Sequence, residues 1–172
     1  NLWVMLKPAT ISDGVEPIKL ITEPDTRFFH CNIKTLNLIP SVMASEKAKR
    51  TGCQETVFYR EGGRVTECAH SNVHIIKDGA LHTAPLDNLI LPGIARKHLI
   101  QACDRLGISV HEEPYYLEDL FAAEEVLVTS SSNLCLHAHE IDGKPVGGKQ
   151  PELIEALRKE VIGEFLAATE AD

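Results

Sequence analysis

Residues 72–83 read Asn72-Val73-His74-Ile75-Ile76-Lys77-Asp78-Gly79-Ala80-Leu81-His82-Thr83. Two runs of β-branched and apolar residues flank Lys77-Asp78-Gly79, which contains the Asp-Gly pair that is typical of a tight hairpin turn. The pattern predicts a strand over 72–76 that turns at 77–79 and returns over 80–83. Because a hairpin pairs its strands antiparallel, this stretch favours an α+β fold with mostly antiparallel strands.

Further strands and helices are predicted on both sides of this hairpin from short apolar runs and from the periodicity of apolar residues. Residues 151–168 form the clearest helical pattern, because Leu153, Leu157, Val161 and Phe165 recur at a spacing of four. Together the patterns predict an α+β domain with about three helices. The other expected elements are strands over 2–6, 18–22, 55–59, 65–66, 108–111, 125–129 and 134–141, helices over 41–51, 94–106 and (a short one) 117–121, and a turn at Ser12-Asp13-Gly14.

The composition indicates one globular domain and excludes several classes of partner. The chain has 172 residues, of which 44% are hydrophobic and 24% charged, and its formal net charge is −8. This net charge argues against nucleic acids and anionic membranes as partners, since both bind a basic face, and no apolar run approaches the ~20 residues that span a bilayer. Five widely spaced cysteines without a Cys-x-x-Cys pair indicate buried thiols in a cytoplasmic protein rather than disulfides or structural zinc. They are Cys31, Cys53, Cys68, Cys103 and Cys135.

The first residues suggest a piece of a longer protein. The chain starts directly with an apolar run, Leu2–Leu6, and has no initiator methionine. This run has no basic segment before it and no small-residue cleavage site after it, so it does not resemble a signal peptide. We therefore expect a fragment of a larger polypeptide, with an exposed apolar domain face that would favour association.

Lys34 stands out because it lies within the apolar run Ile33–Leu38. Apolar surroundings disfavour the charged form of a lysine, and its neutral amine is then a better nucleophile toward an aldehyde. The alternative is a lysine whose ammonium group reaches water past its apolar neighbours. The local pattern alone favours this alternative.

Three further segments place polar or anion-binding groups at the ends of predicted elements. Glu67 lies at a strand end among hydrogen-bonding side chains, although a capped turn has the same pattern. Gly93 precedes the helix that begins at Ile94, whose free N–H groups and dipole attract anions, although many helices start this way. Ser130 and Ser131 follow a buried strand and would either hold a phosphate or form an ordinary polar loop.

His137 and His139 lie two residues apart on a predicted strand, so their side chains point to the same side. They have no acidic partner at the spacing of a metal site. We therefore expect a packing role or an edge-strand position for these histidines, and no metal site.

These segments, in this order and spacing, resemble the fold-type-IV (class IV) enzymes that use pyridoxal 5'-phosphate (PLP). The group includes D-amino-acid aminotransferases, branched-chain aminotransferases and aminodeoxychorismate lyases. The resemblance runs from about Thr26 to the C-terminus, and the joint occurrence of its motifs is highly specific. The motifs are Asn32-Ile33-Lys34-Thr35-Leu36-Asn37-Leu38, Gly63-Arg64-Val65-Thr66-Glu67, Ser71-Asn72-Val73, Lys77-Asp78-Gly79, Leu91-Pro92-Gly93-Ile94-Ala95-Arg96 and Val128-Thr129-Ser130-Ser131.

The resemblance implies a fold and a division into domains. Residues 31–172 would be the PLP-binding domain, which is the large C-terminal domain of the D-amino-acid aminotransferase-like fold. This fold is a mostly antiparallel pseudo-barrel with flanking helices. Residues 1–30 would be a linker and the end of an N-terminal domain that this chain lacks.

The resemblance also implies roles for seven residues. Lys34 would be the catalytic residue, forming the Schiff base with PLP and moving a proton between the substrate Cα and C4′. Glu67 would pair with the protonated pyridine nitrogen, and Leu91 would pack on one face of the ring. Four residues would hold the phosphate, the first two through backbone N–H groups: Ile94, Ala95, Ser130 and Ser131.

Two details of the motifs bear on phosphate binding and on substrate specificity. Family members commonly carry threonine at the position of Ala95, so a hydroxyl contact to the phosphate would be lost here. The hydroxyl-rich segment Thr66–Asn72 resembles that of the D-amino-acid enzymes, and Thr129–Ser132 followed by Glu140–Gly143 indicates the same branch.

The expected reaction is therefore PLP-dependent transamination between a D-amino acid such as D-alanine and a 2-oxo acid such as 2-oxoglutarate, in a homodimer. The alternatives are a branched-chain L-amino-acid aminotransferase, an aminodeoxychorismate lyase, or a non-catalytic domain fragment of such an enzyme.

Overall fold

The computed structural model describes residues 2–6, 8 and 14–169. Within these residues a nine-stranded mixed sheet forms the centre of the fold, and four α-helices lie around it. The strands are β1 (Ile18–Pro24), β2 (Glu55–Tyr59), β3 (Val65–Cys68), β4 (Asn72–Lys77), β5 (Ala80–Thr83), β6 (Val110–Glu112), β7 (Glu125–Ser130), β8 (Leu134–Ile141) and β9 (Lys144–Pro145). The helices are α1 (Ile39–Arg50), α2 (Ile94–Arg105), α3 (Leu117–Ala122) and α4 (Pro151–Thr169), and residues 61–63 form one 3-10 turn.

The sheet has the strand order β3-β2-β1-β8-β7-β4-β5-β6, and β9 pairs with β8. The pairs β2–β3, β4–β5, β4–β7, β7–β8 and β8–β9 are antiparallel, while β1–β2, β1–β8 and β5–β6 are parallel. The hairpin predicted at 72–83 is present, with His74 opposite Thr83 and Lys77 opposite Ala80. The expectation of mostly antiparallel strands in an α+β fold is therefore confirmed.

Strands β4 and β7 are buried on both faces, which explains their continuous apolar runs. Ile75 and Val126 belong to the inner core of the sheet. Their sequence neighbours Ile76 and Leu127 point the opposite way and pack with residues of α2 and α4. The periodicity predicted for the last helix is confirmed, because Leu157 is fully buried in this outer layer. Two layers of core thus pack against β4 and β7 from both faces.

Several sequence expectations differ from the structure. Residues 2–6 form no strand, and Trp3 is 92% exposed, because no strand in the described part of the chain lies beside this segment to pair with it. Strand β6 begins at Val110 rather than at 108. The described residues contain four helices, one at each of the four predicted positions, where the overall expectation was about three. An edge-strand position for His137 and His139 is wrong, because β8 lies between β1 and β7.

Other expectations are confirmed, and one stays a prediction. All five cysteines are free and buried, as expected. Gly14 has a positive φ of 70°, as in a turn, while Ser12 and Asp13 lie outside the described residues. The boundary between a linker (1–30) and a cofactor domain (31–172) stays a prediction. However, β1 precedes that boundary and pairs with both β2 and β8, so it belongs to the same sheet. None of the helices in the described parts of the chain has the length and apolarity that crossing a bilayer requires.

Candidate active site

One cavity of about 460 Å³ brings together all seven residues that the sequence singled out. Its wall is formed by the loop between β1 and α1, the turn between β3 and β4, the loop before α2, and the end of β7. The seven residues are Lys34, Glu67, Leu91, Ile94, Ala95, Ser130 and Ser131. Four segments that are far apart in the sequence therefore share one site.

The sheet topology explains why these segments meet. Asn72, at the start of β4, lies opposite Thr129, near the end of β7, so the β3–β4 turn and the 130–131 loop lie at one edge of the sheet. The Asn72 side chain donates hydrogen bonds to Glu67 Oε2 (3.1 Å) and to the Leu91 carbonyl (3.0 Å). Asn72 therefore joins the carboxylate to the loop that leads into α2.

Glu67 is buried and its carboxylate accepts several hydrogen bonds. Oε2 accepts from Asn72 and from the backbone N–H of Leu91 (2.9 Å), and Oε1 accepts from Arg27 Nη1 (2.5 Å). Burial raises the pKa of Glu67 above its ordinary value, and the charge and hydrogen bond of Arg27 and the N–H of Leu91 oppose that rise. The site therefore contains a carboxylate that is desolvated and fixed in direction.

Arg27 is the residue of this site that the sequence reasoning missed. Its guanidinium lies between Asp25 and Glu67, with only 9% of the side chain exposed. Burial alone would lower the pKa of Arg27, but Asp25 and Glu67 outweigh it, so the net shift is upward and Arg27 stays charged. The available signal was indirect: a carboxylate that becomes buried needs a cationic partner, and Arg27 lies within the stretch that resembles the family.

The phosphate end expected from the sequence has the features of an anion site. Helix α2 begins after Gly93, and no side chain caps its first N–H groups. Those N–H groups and the positive end of the helix dipole are therefore available at Ile94 and Ala95, which line the cavity. On the other side of the cavity, Ser130 Oγ lies 3.3 Å from the Asn133 backbone N–H, and Ser131 is exposed.

A fully buried histidine holds the side chain of Thr129, which lines the same cavity. His74 lies between two threonines, with Nε2 at 2.9 Å from Thr129 Oγ1 and Nδ1 at 2.8 Å from Thr83 Oγ1. Burial, with a smaller contribution from the charge of Arg96, lowers the pKa of His74 to about 3. This ring is thus neutral at physiological pH and fixes the hydroxyl of Thr129 beside the cavity.

The β3–β4 turn is anchored by a second buried carboxylate. Glu55 Oε2 accepts a hydrogen bond from Ser71 Oγ (2.7 Å) and lies 2.8 Å from His70 Nδ1. The hydrogen bond to Glu55 raises the pKa of His70. His70 and Ser71 both line the cavity, so their polar groups have defined positions in its wall.

Lys34 lines the cavity but is more open to solvent than expected. It lies on the irregular segment before α1 and is exposed. Its sequence neighbours Ile33 and Leu36 are 56% and 94% exposed, so the described residues do not form the apolar enclosure that the sequence suggested. Lys34 therefore lines the same cavity as Glu67 and the start of α2, and the described residues do not enclose it.

Gly93 provides a test of the architecture that needs no cofactor. Its φ is −66°, so alanine has no backbone strain there, but an added Cβ would overlap with Asn72 Oδ1. Gly93→Ala is expected to displace Asn72 from Glu67 and Leu91 and to lower the free energy of unfolding by about 1–3 kcal/mol. Urea denaturation measures this change.

The matched control for this test is Gly163→Ala in α4. No atom lies within 4 Å of the added Cβ at that position. Alanine is the better helix former, so this variant should be more stable than the wild type by about 0.5–1 kcal/mol. Equal stability of Gly93→Ala and the wild type would contradict the tight packing of Asn72.

Comparisons with known proteins identify the family to which the chain is similar. The family model for amino-transferase class IV matches residues 5–141. The D-alanine aminotransferase of Listeria monocytogenes serotype 4b is 40% identical over 150 residues, which are 87% of this chain and 52% of that protein. The D-alanine aminotransferase of Staphylococcus haemolyticus is 42% identical over 130 residues, which are 76% of this chain and 46% of that protein.

A solved structure agrees in the arrangement of the chain. The branched-chain amino acid aminotransferase from Escherichia coli superposes with a TM-score of 0.78 at 28% identity, over 87% of this chain and 52% of that one. The chain spans about half the length of the curated relatives it matches. Because the class IV family model covers most of the chain and the fold agrees as well, this chain belongs to the class IV aminotransferases.

Proposed function

We propose that the protein transfers an amino group between a D-amino acid such as D-alanine and a 2-oxo acid such as 2-oxoglutarate, with PLP as cofactor. The observation that carries the proposal is the meeting of Lys34, Glu67 and the uncapped start of α2 in one cavity. The D-amino-acid branch is supported by the 40% identity to a protein named D-alanine aminotransferase. Class IV aminotransferases use PLP.

The groups around the cavity fit this cofactor in number and in chemistry. Lys34 offers a primary amine for an aldehyde, and Glu67 offers a buried carboxylate for a protonated ring nitrogen. The N–H groups at Ile94 and Ala95 and the Ser130–Ser131 loop offer donors for a phosphate. Leu91 offers an apolar side chain for one face of a ring.

The chain's own residues would divide the chemistry among them. Bound PLP supplies an aldehyde that carries the amino group and a ring that accepts electrons. Lys34 Nζ would hold the cofactor covalently and, once released, move the proton at the substrate Cα. Glu67 would keep a proton on the ring nitrogen, because an ionised carboxylate at that position stabilises the positive charge. The N-terminus of α2 would orient the phosphate and so keep the ring in position next to the Lys34 amine.

A second candidate is a branched-chain L-aminotransferase, because the fold superposes on the Escherichia coli enzyme of that name with a TM-score of 0.78. An aminodeoxychorismate lyase would share the same cofactor residues. The hydroxyl-rich turn Thr66–Asn72 supports the D-amino-acid branch over the branched-chain one. A homodimer and a cytoplasmic location belong to the same proposal, and the exposed apolar side chains Leu36, Ile39, Val42 and Met43 support association.

Substrate assays on the purified protein with added PLP test the proposal. D-alanine and L-leucine are compared as amino donors to 2-oxoglutarate, and pyruvate or 4-methyl-2-oxopentanoate is measured as the product. Activity with D-alanine supports the proposal. Activity with L-leucine alone would transfer the protein to the branched-chain group, and release of 4-aminobenzoate from aminodeoxychorismate would identify a lyase. A protein that takes up no PLP would contradict the proposal as a whole.

A further inference from the structure

We propose that Arg27 is a positioning residue that keeps Glu67 ionised and fixed in direction for the ring nitrogen of the cofactor. The inference rests on the proposed function, because it assumes that Glu67 meets that nitrogen. The effect of Arg27 on the titration of Glu67 can be measured without cofactor.

Arg27 is held by more contacts than a surface ion pair would have. Asp25 Oδ1 accepts from the backbone N–H (3.0 Å) and from Nε (2.9 Å) of Arg27, and Asp25 Oδ2 accepts from Nη2 (2.9 Å). The guanidinium also lies 4.7 Å from the centre of the Phe58 ring. The planar fork therefore has one orientation, with Nη1 directed at Glu67 Oε1.

The contacts of Glu67 leave room for one further partner. An ionised carboxylate accepts about four hydrogen bonds, two on each oxygen. Asn72 and the Leu91 N–H use both positions on Oε2, and Arg27 uses one on Oε1. The remaining position is on Oε1, the same atom that Arg27 fixes, so Arg27 decides the direction in which Glu67 accepts a proton donor.

The charge of Arg27 matters as much as its geometry. Burial raises the pKa of Glu67, and the charge of Arg27 is the largest effect that opposes this rise. Without Arg27 the carboxyl group would keep its desolvation but lose its nearest cation, so it would take up a proton at a higher pH. A protonated Glu67 cannot stabilise a positive charge on the ring nitrogen.

Asp25, the second carboxylate beside Arg27, has further partners of its own. It is fully buried and also lies 3.0 Å from Arg60 Nε, and its Oδ2 accepts a hydrogen bond from Thr66 (3.1 Å). Two arginines and two carboxylates thus form a compensated cluster. Arg60 contacts Asp25 and has no ion pair with Glu67 among the described residues, which makes it a matched control for Arg27.

The experiment compares the wild type with Arg27→Met, Arg27→Lys and Arg60→Met. In the purified protein without cofactor, the carboxyl carbon of Glu67 is followed by NMR as pH is varied, with Glu67→Gln to assign the signal. Arg27→Met is expected to raise the titration midpoint of Glu67 by about 1–3 pH units. Arg27→Lys keeps a charge but loses the fork and should give a smaller upward shift. Arg60→Met removes no contact to Glu67 and should shift the midpoint by less than about half a pH unit, well below the effect of Arg27→Met.

The outcomes separate this inference from the proposed function. A Glu67 midpoint in Arg27→Met within about half a pH unit of the wild type would overturn the role of Arg27, because an adjacent charge shifts a pKa by more. If Arg27→Met does not fold, the same comparison with Arg27→Lys decides, and an unchanged midpoint overturns the inference. Failure of the wild type to take up PLP would overturn the proposed function, whatever the NMR titration shows.

Discussion

Replacing Lys34 with alanine is expected to abolish amino-group transfer and covalent attachment of PLP. The alanine variant would lose both the amine that holds the cofactor and the group that moves the proton. Because a positioned acid–base group contributes up to about 10⁴-fold, kcat should fall by about 10⁴-fold or more. The attachment is measured as the mass of one phosphopyridoxyl group after borohydride reduction.

The control for Lys34→Ala is Lys97→Ala. Lys97 is exposed on α2 and does not line the cavity, so its loss should leave both kcat and the covalent mass unchanged. A reduced adduct that persists in Lys34→Ala would show that another lysine holds the cofactor. The exposed position of Lys34 in the described residues would then be its ordinary state.

Replacing Glu67 with glutamine is expected to lower kcat by about 10²–10³-fold while the covalent link at Lys34 persists. The amide has the same shape but no charge, so it would not stabilise a protonated ring nitrogen. In Glu67→Gln, kcat should therefore fall while the reduced adduct persists. In Lys34→Ala, both kcat and the adduct should be lost. An unchanged kcat in Glu67→Gln would rule out the assigned role.

A buried carboxylate elsewhere controls for lost stability. Glu125 is 2% exposed and accepts hydrogen bonds from the backbone N–H groups of Gly148 (3.0 Å) and Gln150 (2.6 Å), away from the cavity. Glu125→Gln should lower the free energy of unfolding and leave kcat unchanged. Loss of activity in both glutamine variants alike would indicate a general effect of destabilisation.

The sequence predicted those elements whose local pattern matches their final environment. The hairpin at 72–83 has its own turn and pairs with itself, and α4 shows its buried side in its own spacing. The position of β1 in the sheet could not be predicted. It pairs in parallel with β2 and β8, and parallel partners that are distant in sequence are not joined by a turn whose residues could be recognised. The apolar run 2–6 has strand propensity, but propensity gives no strand without a neighbouring strand.

The same distinction holds for the candidate site. The seven predicted residues belong to short motifs, and each motif fixes its own turn or helix start. The pairing of Arg27 with Glu67 joins residues 40 positions apart, and no motif spans that distance. The exposure of Lys34 depends on what covers the apolar side chains beside it, and this information is not in the run Ile33–Leu38 itself.

The central place of β1 has a consequence for synthesis on the ribosome. β1 lies between β2 and β8, and Thr22 is bonded to Asp142 across 120 residues of chain. At about 5–20 residues per second, β1 would leave the exit tunnel roughly 6–24 s before its second neighbour β8 leaves it. One apolar edge of the growing sheet stays uncovered during this interval, so we expect the nascent chain to bind chaperones that recognise extended apolar segments.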